Sequence, residues 1–235
     1  MASLYGNLSQ KLITTIMAFG SGVLIATLTF SIIVEAFNVT HTLSATLIGF
    51  ILGGLSYGIA NAIVDKKSKT RVRKSENLTS KSKVTIDKNS NSGRSLFIGS
   101  VMDNIPENAA LGITLASGGM INIAFLVAIF VSNLPEGLAS TNDMKSSGLS
   151  RRYILVLWAV AVAIGTLATA MGYSVLSNAS PPIISISIAF AAGAILVMLG
   201  ESMIPEAFKK ESFGKGLALL TGFVVALILT KVQGG

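Results

Sequence analysis

The 235-residue sequence has no cysteine, one histidine and few charged residues. Without cysteine the chain can form neither a disulfide nor a thiolate metal site, and the single histidine, His41, excludes a poly-histidine site. Only 12% of the residues are charged, against about 25% in soluble domains. Hydrophobic residues make up 51%, and the mean hydropathy is +0.69. This composition argues against a soluble globular protein.

Apolar runs of the length that crosses a bilayer dominate the sequence instead. Seven such runs occur, at about 12–37, 42–64, 95–118, 122–140, 153–177, 183–207 and 215–233. They lack the strict alternation of barrel strands, and a segment within lipid must satisfy its own backbone hydrogen bonds, so each run is predicted to be an α-helix. The predicted fold class is therefore all-α, a polytopic transmembrane helical bundle of about seven spans forming a single domain over residues 1–235.

The positions of the basic residues predict the orientation of these spans. The chain has 18 Lys and Arg against 11 Asp and Glu, a net charge of +7. Apart from Lys231, the basic residues precede the first run or follow every second span, and the connections near 38–41, 118–121 and 178–182 have none. Cytoplasmic loops retain Lys and Arg, so the N-terminus is predicted to be cytoplasmic and the C-terminus outside. Topology thus explains the basic charge, and no nucleic-acid partner is predicted.

The longest connection, residues 66–94, is rich in Ser, Lys and Asn and almost free of apolar residues. Such a segment cannot offset its ordering entropy by burying apolar surface, which predicts a disordered cytoplasmic loop. Anionic lipid headgroups could hold its basic residues near the membrane, but a solvated linker is the simpler interpretation.

Six acids fall within the apolar runs or at their ends: Glu35, Asp103, Glu107, Glu136, Glu201 and Glu206. No Lys or Arg shares the spans that contain them. An unpaired carboxylate at the bilayer centre is costly, so such acids must be protonated, face a water-filled cavity or bind a cation supplied from outside the chain. The set therefore favours a cation as ligand.

Two neighbouring spans carry the same polar motif. Residues 103–108 read Asp-Asn-Ile-Pro-Glu-Asn, and residues 132–137 read Ser-Asn-Leu-Pro-Glu-Gly. Helical residues three or four apart share a face, so the Asn and Glu of each motif are predicted to point the same way. Each proline removes a backbone donor and frees the carbonyl four residues earlier, that of Met102 or Val131, as a possible further ligand.

The side chains of these motifs are oxygen donors, which suit a divalent cation of harder character. The alternative is that they only form hydrogen bonds between helices while the prolines kink them. Two matching clusters on neighbouring spans favour the cation site over this alternative.

A second internal similarity relates the first span to the sixth. Residues 18–37 match residues 189–208 at a constant offset of 171, and Gly49-Phe50 is matched with Gly222-Phe223 in the spans that follow. The first predicted span runs outward and the sixth inward, so the related helices are antiparallel. This relation between the first two and the last two spans is typical of inverted-repeat transporters.

With these motifs in this order, the chain resembles the ZIP (Zrt/Irt-like) family of divalent metal transporters. The resemblance implies a bundle in the cell membrane that moves zinc, iron, manganese, cobalt, cadmium or related ions toward the cytoplasm, as substrates and not as cofactors. It implies a metal site between the two Pro-containing helices. The residues implied are Asn104, Glu107, Asn133 and Glu136 as central ligands, Asp103 and Ser132 beside them, and Glu201 on the exit path.

The sequence departs from the family pattern in three ways. An initial helix of the usual eight is expected to be missing. Asp103, Ser132 and Asn133 stand where many members carry His or Asp. The span at 153–177 lacks the Glu that many prokaryotic members supply from this helix. We therefore expect one central metal and no particular preference for zinc.

Other interpretations of the sequence remain. A metal-binding membrane sensor or scaffold without transport would carry the same motifs. An intramembrane aspartyl protease needs two Asp, one of them in a Gly-x-Gly-Asp context, and Asp103 is the only Asp in the spans, so no enzyme is predicted. A row of glycines allows close helix contact within the chain or in a homodimer: Gly49, Gly53, Gly54 and Gly58.

Overall fold

The computed structural model describes residues 9–79, 89–116, 123–209 and 213–233, and within these ranges it consists of seven helices and no strand. Helix α1 comprises Gln10–Thr27, a π-helical turn at Leu28–Ile32 and Ile33–Thr40, and α6 comprises Pro181–Met198, a π-helical turn at Leu199–Met203 and Ile204–Phe208. The others are α2 (Leu43–Thr79), α3 (Asn89–Ala116), α4 (Ile123–Ser146), α5 (Arg151–Leu176) and α7 (Phe213–Gln233). The predicted all-α fold class is confirmed.

Local signals in the sequence set several helix ends. The hydroxyl oxygens of Ser9 and Ser150 accept backbone hydrogen bonds at the starts of α1 and α5, at 3.2 and 3.3 Å. Pro181 begins α6, where its missing N–H costs no hydrogen bond. Helix α1 ends at His41, whose φ of 52° is left-handed.

Five of the helices are long and apolar enough to cross a membrane, namely α1, α2, α5, α6 and α7. Within the described residues, α3 and α4 are not among the helices that meet this standard. A helical membrane bundle is thus confirmed, and the crossing of the membrane by α3 and α4 stays a prediction.

The connection at 66–94 is described only in part. Helix α2 continues to Thr79 and α3 begins at Asn89, so residues 66–79 and 89–94 belong to these helices, and residues 80–88 lie outside the described residues. The disorder of this connection stays a prediction. A helix already nucleated in an apolar span extends without a new nucleation cost, and the Lys, Arg and Glu of this stretch favour helix.

Helices α1 and α6 form the centre of the bundle. They supply most of the buried apolar residues, whereas α2, α5 and α7 are mostly exposed. Helix α7 packs along α1, α2 packs along α6, and α3 lies between α4, α5 and α6. Helix α4 packs against α1 and α3. The two motif helices, α3 and α4, are therefore neighbours, and each packs against one of the central helices α1 and α6.

Glycines mark two equivalent helix crossings. A Cβ on Gly22 of α1 would overlap the carbonyl of Leu219 on α7, and one on Gly193 of α6 would overlap the carbonyl of Phe50 on α2. Gly22 and Gly193 are related by the same offset of 171 residues as the rest of the first and sixth spans. The two halves of the repeat are therefore packed alike.

The register predicted for the second helix of each half is wrong by one helical turn. A Cβ on Gly222 would overlap the carbonyl of Phe19, and one on Gly53 would overlap the carbonyl of Phe190, the counterpart of Phe19. Gly53, rather than Gly49, is thus the partner of Gly222. The shared letters Gly-Phe suggested the wrong match, because the packing depends on the glycine that meets the opposite carbonyl.

The glycine row on α2 faces α6 within the same chain. A Cβ on Gly49 or Gly53 would overlap carbonyls of α6, and one on Gly54 would lie 3.1 Å from a methyl carbon of Val197. A Cβ on Gly58 would lie 3.7 Å from Glu201. Internal packing accounts for this row, which gives the predicted homodimer no support.

The π-helical turns also obey the repeat. In α1 the N–H of Ile33 bonds to the carbonyl of Leu28, and in α6 the N–H of Ile204 bonds to that of Leu199, each five residues apart. Both pairs are related by the offset of 171. Such turns are rare and are frequent at functional sites.

Candidate metal centre

The two motifs meet where α3 and α4 pack together, and Glu107 lies at this contact with only 2% of its surface exposed. The hydroxyl of Ser132 donates to its Oε1 at 3.3 Å, and Nδ2 of Asn133 donates to its Oε2 at 2.6 Å. Both oxygens of the carboxylate thus accept hydrogen bonds from the facing helix. The structure brings together three of the predicted site residues.

The amide of Asn133 has a defined orientation. Its Nδ2 donates to Glu107 and also to the backbone carbonyl of Ile129, at 2.8 Å. Both amide hydrogens are therefore used, and the oxygen Oδ1 is the end that remains to accept or to bind a cation.

Asn104 stands one turn before Asn108 on α3, and Nδ2 of Asn108 donates both to the backbone carbonyl of Asn104, at 2.8 Å, and to its side-chain Oδ1. Asn104, Asn108 and Asn133 line one cavity of about 430 Å³ between α3, α4 and α5. Apolar side chains such as Ile129 form much of the remaining wall.

The carbonyl that Pro135 frees, that of Val131, faces α1. A Cβ on Gly20 would lie 3.2 Å from this carbonyl oxygen and 3.1 Å from the Cα of Ser132. Glycine at position 20 therefore lets the backbone of α1 come close to the part of α4 that precedes Pro135.

Two further predicted ligands lie on the motif helices. Glu136 is half-buried on α4, one turn after Ser132 and on the same face. The backbone of Asp103 belongs to α3, one turn before Glu107, but its side chain lies outside the described part of the structure. Their roles as ligands stay predictions.

Glu201 lies apart from this cluster. It belongs to the π-helical turn of α6, is exposed, and accepts a hydrogen bond of 2.7 Å from Nδ2 of Asn61 on α2. Sequence reasoning missed Asn61, because nothing in the spacing of a lone amide on another helix links it to Glu201. Only the packing of α2 on α6 brings the two together.

Sequence reasoning also gave no role to Asn108, Thr169 and Gly165. The hydroxyl of Thr169 on α5 lies 3.0 Å from the backbone carbonyl of Asn108 and 3.4 Å from its Oδ1. A Cβ on Gly165 would lie 3.3 Å from Oδ1 of Asn104. The position of Asn108 four residues after Asn104 was a usable signal, whereas the part played by α5 follows from tertiary packing alone.

Among the side chains that the structure describes, no group of three or more His, Cys, Asp or Glu could hold a metal ion. A cation bound between α3 and α4 would therefore use amide or hydroxyl oxygens beside carboxylates. Such neutral oxygen ligands are common for hard divalent cations, with waters completing the shell.

Comparison with known proteins agrees with the architecture. No curated protein matches the chain. The family model described as ZIP zinc transporter matches residues 56–230, which include α3, α4, α5, α6 and most of α7. The match covers well over half of the chain and contains both Asn-x-Pro-Glu motifs, and members of this family are transporters rather than enzymes. The chain belongs to the ZIP zinc transporter family.

Proposed function

We propose that this chain moves divalent metal cations toward the cytoplasm through the contact between α3 and α4. Family membership supports metal transport in general. The observation that carries the site is the buried carboxylate of Glu107, held by Ser132 and Asn133 from the facing helix. A buried carboxylate at a helix contact within a membrane bundle is a natural partner for a cation.

The site we propose uses oxygen ligands throughout. A hydrated cation exchanges waters for the carboxylates of Glu107 and Glu136 and for the amide oxygens of Asn104 and Asn133. Asp103 and Ser132 flank them. With no thiolate or imidazole in this set, the ligands select no particular first-row metal, and we expect limited selectivity among divalent cations. Zinc, iron, manganese, cobalt and cadmium are the candidate substrates.

The proposed direction rests on the basic residues, which favour a cytoplasmic N-terminus and a cytoplasmic segment 66–94 for a bundle in the plasma membrane. With this orientation the π-helical turn of α6 lies in the cytoplasmic half. Glu201, with Asn61 beside it, is then the next carboxylate on the path of a cation that leaves the central site.

Uptake by liposomes that contain the purified protein tests this proposal. Zn²⁺, Mn²⁺, Fe²⁺, Co²⁺ and Cd²⁺ are offered in turn to the wild type, to Glu107→Gln and to Glu206→Gln. The last variant is a matched control, since Glu206 is partly exposed on α6 and pairs with Lys209 at 3.0 Å. We expect uptake of several metals, lost in Glu107→Gln and kept in Glu206→Gln.

The same experiment separates transport from its alternative. Metal binding without uptake of any ion would replace the transporter by a sensor or scaffold. Undiminished uptake by Glu107→Gln would show that the transport site does not lie at the contact between α3 and α4.

A further inference from the structure

The two motifs differ at their last residue. The motif on α3 ends in Asn108, and the motif on α4 ends in Gly137 at the matching place. The α3 motif therefore carries a second amide, one helical turn after Asn104. We call Asn104 and Asn108 the amide pair.

The amide pair is tied together and then tied to α5. Nδ2 of Asn108 donates to two oxygens of Asn104, the backbone carbonyl and Oδ1. On its other side, Asn108 presents its backbone carbonyl and its own Oδ1 to the hydroxyl of Thr169. The carbonyl of Gly165 lies 3.2 Å from the same hydroxyl. The hydroxyl has a single hydrogen, and its nearest acceptor is the backbone carbonyl of Asn108, so Thr169 ties α5 to α3 at the residue whose side chain contacts Asn104.

Orientation decides whether an asparagine can bind a cation. The two ends of its amide have almost the same shape but opposite polarity, and only the oxygen attracts a cation. Beside the NH₂ group of Asn108, the amide of Asn104 must present its Oδ1, because a rotated amide would set two donors against each other. Oδ1 has two lone pairs, so one can accept from Asn108 while the other is left for a cation.

Helix α5 packs closely against the amide pair on α3. A Cβ on Gly165 would lie 3.2 Å from Nδ2 of Asn108, and one on Gly172 would lie 2.7 Å from the carbonyl of Ala109. A Cβ on Gly112 of α3 would overlap the carbonyl of Thr169. Glycines on both helices therefore bring the backbone of α5 close enough for the Thr169 hydroxyl to reach Asn108.

Asn133 has a different support. Glu107 and the carbonyl of Ile129 fix its amide, so the orientation of this ligand comes from within the two motifs. Asn104 receives the corresponding support from Asn108 and, through it, from Thr169.

We propose that Asn108 and Thr169 are positioning residues that keep the amide oxygen of Asn104 directed at the transported cation. This inference rests on the proposed function, in which Asn104 is a ligand. Removal of a residue that orients a metal ligand typically weakens metal affinity about 10- to 100-fold.

A double-mutant cycle tests whether Asn108 acts through Asn104. The purified full-length chain is prepared as wild type, Asn104→Ala, Asn108→Ala and the double variant. The Kd for Mn²⁺ and the KM for Mn²⁺ uptake are measured for each. We expect each single variant to raise both constants about 10-fold. The double variant should be no worse than Asn104→Ala, because Asn108 has nothing left to orient. Effects that multiply would overturn the proposal.

Variants of Thr169 test whether its hydroxyl supports Asn108. The readout is a change in KM without a change in maximal rate, which simple loss of packing would not give. Thr169→Val keeps the shape but loses the hydroxyl, so it should raise KM severalfold while the maximal rate stays near that of the wild type. Thr169→Ser should restore KM. The matched control is Thr221→Val on α7, whose hydroxyl bonds only locally to the carbonyl of Leu217 at 2.7 Å. A fall in maximal rate alone, or no rescue by Ser, would overturn the positioning role.

Failure of this inference and failure of the proposed function give different results. Coupled effects on Mn²⁺ binding without any uptake would leave the positioning role standing and remove transport. Normal uptake by the wild type, together with effects of Asn104→Ala and Asn108→Ala that multiply in the double variant, would remove the positioning role and leave transport standing. A wild-type Kd retained in Asn104→Ala would overturn the inference whatever the uptake.

Discussion

Asn133 donates a hydrogen bond of 2.6 Å from its Nδ2 to Oε2 of Glu107, across the contact between the two motif helices. The residue predicted as a ligand is therefore also the residue that holds a neighbouring ligand. Because the amide nitrogen is a donor, any bond from Asn133 to a cation must come from Oδ1. The side chain of Asn133 thus has two proposed parts: its nitrogen holds the carboxylate of Glu107, and its oxygen is the atom that can bind a cation.

This contact predicts what a second negative charge would do. Asn133→Asp would place two carboxylates at hydrogen-bonding distance in a buried site, and the repulsion should lower the free energy of unfolding by about 1 to 3 kcal/mol. A divalent cation should restore the lost stability, because it binds the pair. Thermal unfolding in detergent, with and without Mn²⁺, measures both effects. A variant as stable as the wild type without metal would contradict the prediction.

A matched pair of glycine variants tests the packing of α6 on α2. Gly193→Ala would overlap the carbonyl of Phe50, so it should cost about 1 to 3 kcal/mol of stability, as other overpacking changes do. Gly200→Ala on the same helix meets no atom within 4 Å, so it should be neutral or slightly stabilising. The shift in the midpoint of thermal unfolding measures each. Equal shifts for the two variants would contradict the crossing at Gly193.

The hydrogen bond between Trp158 and Thr141 predicts a small, coupled loss of stability. Nε1 of Trp158 on α5 donates to Oγ1 of Thr141 on α4 at 2.8 Å. Thr141→Val and Trp158→Phe should each cost about 1 kcal/mol or more, and the double variant should cost less than their sum. Unfolding by denaturant provides the three values, and strict additivity would speak against the bond.

The absence of cysteine makes the orientation of the bundle testable. Ser146→Cys and Asn178→Cys each introduce one thiol at an exposed position, the first before the start of α5 and the second after its end. In intact cells a membrane-impermeant maleimide should label Asn178→Cys and spare Ser146→Cys. If only Ser146→Cys is labelled, the topology is the opposite of the predicted one, and the proposed direction of transport is wrong.

Asn61 provides a test of the exit path. Asn61→Leu removes the donor to Glu201 without changing the charge of the bundle. We expect a severalfold lower maximal rate of Mn²⁺ uptake and an unchanged KM, because the central site is untouched. A changed KM with a normal rate would place Asn61 in substrate binding instead.

The helices and the central contact were predictable because they depend on local patterns. Runs of apolar residues indicate the helices, and the spacing of Asn and Glu puts each pair on one face, which is why the meeting of Glu107 with Ser132 and Asn133 could be anticipated. The helices follow from periodicity within each segment, whereas the contact also requires the two motif helices to pack side by side.

The remaining features depend on contacts between distant segments. The hydroxyl of Thr169 reaches Asn108 over 61 positions of sequence, and Asn61 reaches Glu201 over 140. The extension of α2 to Thr79 had another cause, since the cooperativity of helix growth outweighed a composition that buries little apolar surface. A sequence pattern alone records neither kind of information.

The π-helical turns of α1 and α6 bear on the origin of the internal repeat. Each turn holds one residue more than an α-helical turn would, and the extra residue falls at the same place in α1 and α6. An insertion shared by both halves is most simply inherited from an ancestral half that already had it before the gene was duplicated. Each insertion rotates the helix beyond it by about 100°, so the loss of one alone would leave the two halves out of phase.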